Sequence, residues 1–252
     1  MNHQIKMIVT DLDKTLLRTD KSVSDYTKTI LGKCRETGIK VVYATGRGKS
    51  MDNVIPYKMF DGRIIANGAV AYANGNVIYK RPIPYLAARP LLMACDRRGM
   101  KIASESGDMH YSNFHFPHEW GFLPFKVVDF SRHDMDAEKM FAVTENQKDL
   151  VFIKRHISTG CYFSVDREGL AMIMHKDATK SRAVSELARL WGIKQEEIAA
   201  FGDELNDTDL LSWAGIGVAM GNALDEVKAI ADFTCLENDE DGVAAWIKEN
   251  IL

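Results

Sequence analysis

Residues 6–17 read Lys-Met-Ile-Val-Thr-Asp-Leu-Asp-Lys-Thr-Leu-Leu (KMIVTDLDKTLL). A short apolar, β-branched run that stops at a polar residue predicts a buried strand over 6–10, ending at Asp11. The pattern continues outward. Ser24 stands as the N-cap of a helix reaching Glu36 and closed by Thr37-Gly38. Residues 39–44 (IKVVYA) form a second strand, followed at Thr45-Gly46-Arg47 by a turn and another helix, and 63–66 start a third strand. Near the other end, 179–191 is helical with Ala183, Leu187, Leu190 and Trp191 on one face. Strand 198–202 (IAAFG), helix 207–213, strand 216–220 and helix 223–231 follow. Strand–helix alternation implies right-handed crossovers and a parallel sheet covered on both faces, an α/β doubly wound fold.

The middle of the chain breaks that rhythm. Residues 69–79 (AVAYANGNVIY) alternate around Asn74-Gly75, a hairpin signal. Pro82 and Pro84 mark a break, 85–98 is helical and ended by Gly99, and 140–144, 160–165 and 170–175 read as strands. The expected organisation is a core of 1–81 and 177–252 with an inserted α+β cap of 82–176. The two connections lie near 81–84 and 176–178.

Composition narrows the class. The 252 residues carry 46% hydrophobic and 27% charged side chains and a formal net charge of −3. A protein built mainly to hold nucleic acid would be basic, so that class is set aside. Cys34, Cys95, Cys161 and Cys235 form no CxxC pair, which leaves zinc ribbons and thioredoxin-type motifs unsupported. Widely spaced thiols, a polar start without a signal-peptide stretch and no long apolar run are the marks of a cytoplasmic protein with no membrane span.

Chemistry in open α/β sheets collects at the carboxyl ends of the strands. Four polar clusters fall at such places: Asp11/Asp13/Thr15, Thr45/Gly46/Arg47, Lys180, and Asp203/Asn206/Asp207. Each has an ordinary explanation when taken alone. An Asp after a strand turns the chain or caps a helix, Thr45 caps a helix, and Lys180 is a solvated surface lysine. Together they would bring Asp11, Asp13, Asp203 and Asp207 into one crevice. Like charges ~4 Å apart cost from ~1 to ~4 kcal/mol per pair. A hard divalent cation such as Mg²⁺, which favours carboxylate and phosphate oxygens, resolves that repulsion.

The segments DLDKTLL (11–17), ATGR (44–47), IIANGAV (64–70), DATKSRAV (177–184), FGDELNDTDLL (201–211) and VAMGNALDEVKAIAD (218–232) together resemble the haloacid-dehalogenase superfamily. More narrowly they resemble its Cof-type (subfamily IIB) phosphatases, which carry a large α+β cap after the third strand. The resemblance spans essentially the whole chain. It departs at Lys14, where the family's first motif most often has Gly; a lysine there points to solvent or adds positive charge at the site.

The resemblance implies roles that make physical sense. Asp11 is the nucleophile and forms a phospho-aspartate. Asp13 is the general acid and then the base, placed beside Asp11 by a two-residue offset along an extended chain, with its main-chain carbonyl a metal ligand. Mg²⁺ is held by Asp11, Asp13, Asp203 and Asp207. Thr45 and the Gly46 N–H hold the phosphoryl oxygens. Lys180 neutralises Asp11 and the phosphoryl group, and Asn206 bonds the phosphoryl or orients Lys180. Arg47 reaches the substrate or pairs with a neighbouring carboxylate, and Thr15 shapes the turn. In the cap, GDMHYSNFHFPHEWGF (107–122) makes His110, His115 and His118 candidates for substrate recognition.

The expected function is hydrolysis of a small phosphorylated metabolite, with sugar phosphates first. A monomer or homodimer is expected to carry it out, with no nucleic-acid or membrane partner. The rivals are a phosphomutase of the same superfamily and a non-catalytic phospho-metabolite sensor.

Overall fold

The run at 6–10 folds as strand β1 (Met7–Thr10), and every one of its residues is buried. Strands pair with it on both sides, which is why it is apolar throughout rather than alternating. This computed structural model describes residues 4–49, 55, 57–117, 124–165 and 169–252. Next come α1 (Asp25–Glu36), β2 (Lys40–Ala44), β3 (Gly62–Ile65), β4 (Val70–Ala73) and β5 (Asn76–Lys80). The Ser24 side chain caps α1 by accepting from Thr27 N at 3.0 Å. Asn74 (φ 51) and Gly75 (φ 79) supply the two left-handed residues of the β4–β5 turn. The helix expected after Arg47 falls largely outside the described residues.

The inserted segment holds α2 (Tyr85–Arg98), β6 (Ile102–Ser106), β7 (Met109–Ser112), β8 (Phe125–Val127), β9 (Lys139–Val143), α3 (Gln147–His156), β10 (Cys161–Val165) and β11 (Leu170–His175). The chain then runs through α4 (Lys180–Trp191), β12 (Ile198–Gly202), α5 (Thr208–Trp213), β13 (Ile216–Ala219), α6 (Asp225–Lys228), β14 (Phe233–Thr234) and α7 (Gly242–Asn250).

Among the described residues the strands make two sheets. The first has eight strands in the order β14-β13-β12-β1-β2-β3-β4-β5. Neighbours from β14 to β3 are parallel, and β4 runs antiparallel to β3. The chain steps from β1 to β2 and β3 in one direction and from β12 to β13 and β14 in the other. The strand order therefore reverses at β1, and a crevice opens at the carboxyl ends there. This is the doubly wound α/β architecture that the alternation implies.

The second sheet has six strands in the order β10-β11-β9-β6-β7-β8, antiparallel except for β7 against β8. Its core joins Leu91 and Leu92 of α2 and Ile153 of α3 to Ile102, Met140 and Ile173 of the sheet. The sequence pattern does not predict strands β6, β7 and β8. Ile102-Ala-Ser-Glu-Ser106 has one β-branched residue and places Ser104 and Glu105 in buried positions, so its pattern gives no strand signal.

The chain divides into two compact units. One contains the chain up to Gly46, the stretch ending at Tyr79, and Thr179–Leu252; the other contains Lys80–Ala178 and the short stretch that begins at Arg47. In α4 the buried stripe runs through Lys180, Ala183, Val184, Leu187 and Ala188. Leu190, expected on that face, is 49% exposed. No described helix is long and apolar enough to cross a membrane.

Candidate active site

Asp11, Thr45 and Asp203 are the first polar residues past the carboxyl ends of β1, β2 and β12, three strands adjacent in the sheet. The chain leaves β1 at Thr10 and turns at once, with Thr15 N and Leu17 N both donating to Leu12 O. Residue 12 already lies in this turn, so Asp11 and Asp13 are not joined by an extended chain as expected. The turn places Thr15 under the site, where its Oγ1 donates to Asp203 Oδ1 at 2.9 Å. Lys14 is exposed and takes a left-handed φ of 59°. That is a backbone region glycine enters without cost, which gives a physical reason for glycine there in related motifs.

Asp11, Asp203 and Asp207 are buried, and each offers an oxygen within 4.8 Å of the others. Lys180, the first residue of α4 and 1% exposed, donates through Nζ to Asp11 Oδ1 at 2.7 Å and to Asp207 Oδ1 at 2.5 Å. The other Asp207 oxygen, Oδ2, accepts from the backbone N–H groups of Asp203 and Glu204 at 3.0 Å each. Asp207 packs this closely because residue 202 is glycine; a Cβ there would lie 2.5 Å from Asp207 Cβ.

The electrostatics follow from this crowding. Burial pushes the Asp11 carboxyl well above its ordinary range; Lys180 opposes the shift, and Asp207 and Asp203 reinforce it. Burial, then Asp207, push Asp203 up to about 6, although the Thr15 hydrogen bond and Lys180 pull the other way. Burial on its own would lower the Lys180 ammonium, but the Asp11 and Asp207 carboxylates outweigh it and hold Lys180 above its usual range. One ammonium does not balance three buried carboxylates. An all-oxygen set with excess negative charge fits a hard divalent cation.

The comparisons with known proteins agree along the whole length. Residues 8–247 match the family of haloacid dehalogenase-like hydrolases. The chain belongs to that family. It is 27% identical over 263 residues to the 5-amino-6-(5-phospho-D-ribitylamino)uracil phosphatase YitU of Bacillus subtilis, covering 96% of each chain. Among solved structures it resembles the HAD subclass IIB sugar phosphatase BT4131, with a TM-score of 0.86, 27% identity and coverage of 98% and 100% of the two chains. It likewise resembles BT1666 of Bacteroides thetaiotaomicron, with a TM-score of 0.86, 29% identity and coverage of 98% and 95%. The protein is thus a phosphatase of the haloacid dehalogenase-like hydrolases.

In this hydrolase the remaining expected residues fall in distinct places. Thr45 is buried, and its backbone N–H donates to Ile64 O at 2.9 Å. Asn206 is half-buried and donates through Nδ2 to Asn67 Oδ1 at 2.8 Å. Asp13 stands outside the carboxylate group and pairs through Oδ1 with Lys21 Nζ at 2.8 Å. Arg47 is exposed and belongs to the stretch that groups with the inserted unit.

The three candidate histidines separate. His110 is on β7, buried, with Nδ1 3.1 Å from Pro124 O and Nε2 3.5 Å from Glu105 Oε2. The carbonyl only accepts, so Nδ1 carries the hydrogen of that bond. His115 is exposed, edge-on to Phe125, and His118 lies outside the described residues. Residues 109–112 of this segment form β7, where His110 stands opposite Glu105 of β6.

Thr15, expected to shape the turn, also bonds Asp203. Asn67, buried at the bend after β3, was not singled out; the Asn-Gly pair that marks a turn was the available signal.

Proposed function

We propose that the protein is a Mg²⁺-dependent phosphatase that hydrolyses small phosphate monoesters, sugar phosphates first, through a phospho-aspartate at Asp11. The observation that carries this reading is Asp11 itself, buried at a strand end, bonded to Lys180 and grouped with two further carboxylates. Asp11, Asp203 and Asp207, with the Asp13 main-chain carbonyl, are the groups to hold the cation. When bound, it neutralises carboxylate and phosphoryl charge together.

The chain's own residues then divide the work. An Asp11 oxygen attacks phosphorus as the bond to the leaving oxygen breaks, and Asp13 supplies that oxygen's proton. Water next attacks the acyl phosphate, Asp13 takes its proton, and inorganic phosphate leaves Asp11 free. Lys180 offsets charge on Asp11 and the phosphoryl group, while Thr45, the Gly46 N–H and Asn206 hold phosphoryl oxygens. Residues 1–81 and 177–252 act as the catalytic core, and 82–176 as the cap that chooses the leaving group. The sugar-phosphate preference is supported by the names of BT4131, a sugar phosphatase, and YitU, whose substrate carries a phospho-ribityl chain.

The test is turnover of an aryl phosphate and of a panel of phosphorylated metabolites with Mg²⁺, with chelator, and after Mg²⁺ is restored. Inorganic phosphate released in step with the alcohol, lost with chelator and regained with Mg²⁺, is the expected result. Substrate consumed without phosphate release would make it a mutase; binding without any turnover would make it a sensor.

A further inference from the structure

Resting on the phosphatase reading, we propose that Asn67 is a positioning residue for phosphoryl transfer, fixing the Asn206 amide against Gly46. Asn67 is 2% exposed and sits at φ 54° in a run of three left-handed residues, Ala66 (φ 49), Asn67 and Gly68 (φ 98). Such a backbone is costly for Ala66 and tolerable for Asn67, so the run is held by what surrounds it.

Three contacts define its use. The Asn67 backbone N–H donates to Thr45 O at 3.0 Å, tying the bend to the end of β2. Asn67 Oδ1 accepts from Asn206 Nδ2 at 2.8 Å. A Cβ added at Gly46 would lie 2.9 Å from Asn67 Oδ1 and 3.3 Å from Asn206 Nδ2, so the amide pair spans the bare Cα of Gly46.

Asn206 depends on this partner. Its Oδ1 is buried with no hydrogen bond, so the Asn67 contact is what sets the amide's rotation. A side chain that places a phosphoryl donor must hold its rotamer, and a displacement of 1 Å costs roughly 100-fold in rate. The neighbouring Gly68 serves the same site from the other side. A Cβ there would lie 2.2 Å from Thr179 O and 2.9 Å from Lys180 N, so the bend also seats the start of α4, which carries Lys180.

The experiment is a double-mutant cycle of Asn67→Gly and Asn206→Ala, read by kcat, KM and thermal unfolding. Glycine keeps the left-handed backbone and removes only the amide. Expected is a kcat lower by roughly 10-fold to 100-fold in Asn67→Gly, with KM changed by less than about 3-fold and the midpoint within about 4 °C of wild type. The double variant should be no slower than Asn206→Ala alone, because Asn67 acts through Asn206. Wild-type kcat in Asn67→Gly, or single effects that multiply in the double variant, would overturn the proposal. If Asn67→Gly does not fold, Asn67→Ser, too short to reach Asn206, takes its place in the cycle with the same expectation. Should the wild-type protein itself release no phosphate, the phosphatase reading fails; loss of the coupling with an active wild type removes only the role of Asn67.

Discussion

Asp203 shows what one buried carboxyl contributes at this site. Its pKa of about 6 lies above the ordinary carboxylate value, so the metal-free folded state binds that proton more tightly than the unfolded chain does. The corresponding stability is fully present below about pH 4 and is lost as pH rises through about 6, a swing of about 3 kcal/mol. Asp203→Asn removes that penalty. We expect its metal-free form to unfold several degrees above wild type at neutral pH, and Mg²⁺ to raise the midpoint of wild type but not of the variant. A midpoint unchanged by the substitution would show that Asp203 carries no strain.

Glu105 in the inserted unit works in the opposite sense. Burial on its own would raise its pKa, but the Lys139 charge at 3.2 Å and His110 bring it down to about 2. That stability is present above about pH 4.5 and is lost as pH falls through about 2. Glu105→Gln removes the buried carboxylate that pairs with Lys139 and should cost about 3 kcal/mol by denaturant unfolding at neutral pH. A cost below about 1 kcal/mol would mean that the ion pairs are not stabilising.

At the scale of elements, the strand-end loops decide the site, and they were unequally legible. Asp11 and Asp203 could be located because β1 and β12 are apolar runs that stop at an acid. Asn67 could not, because its role depends on three successive left-handed residues and on a partner 139 positions away. Asp13 was placed by an argument that needed an extended chain, whereas Thr10 ends the strand. Gly68→Ala tests the importance of the bend: its methyl would collide with the Thr179 carbonyl and push the start of α4 away from Asp11. The variant should lose stability by about 1–3 kcal/mol and most of its kcat, measured by unfolding and turnover together. Normal kcat would show that Lys180 does not depend on this seat.

For the whole molecule, the alternation of strands and helices at the two ends of the chain was enough to read a doubly wound sheet. A hairpin and two prolines interrupt that rhythm close to Lys80, where the chain passes into the second compact unit. Half of the inserted sheet stayed hidden, because β6 buries Ser104 and Glu105 where a strand reading looks for apolar side chains. Its buried acids and bases include Glu105, Glu138, Lys139 and Asp149, with His110 beside Glu105. What the chain does chemically still converges on one residue. Asp11→Asn, nearly isosteric, should keep the fold by circular dichroism and thermal unfolding while lowering aryl phosphate turnover by at least ~1,000-fold. Turnover at the wild-type rate in that variant would contradict a phospho-aspartate at Asp11.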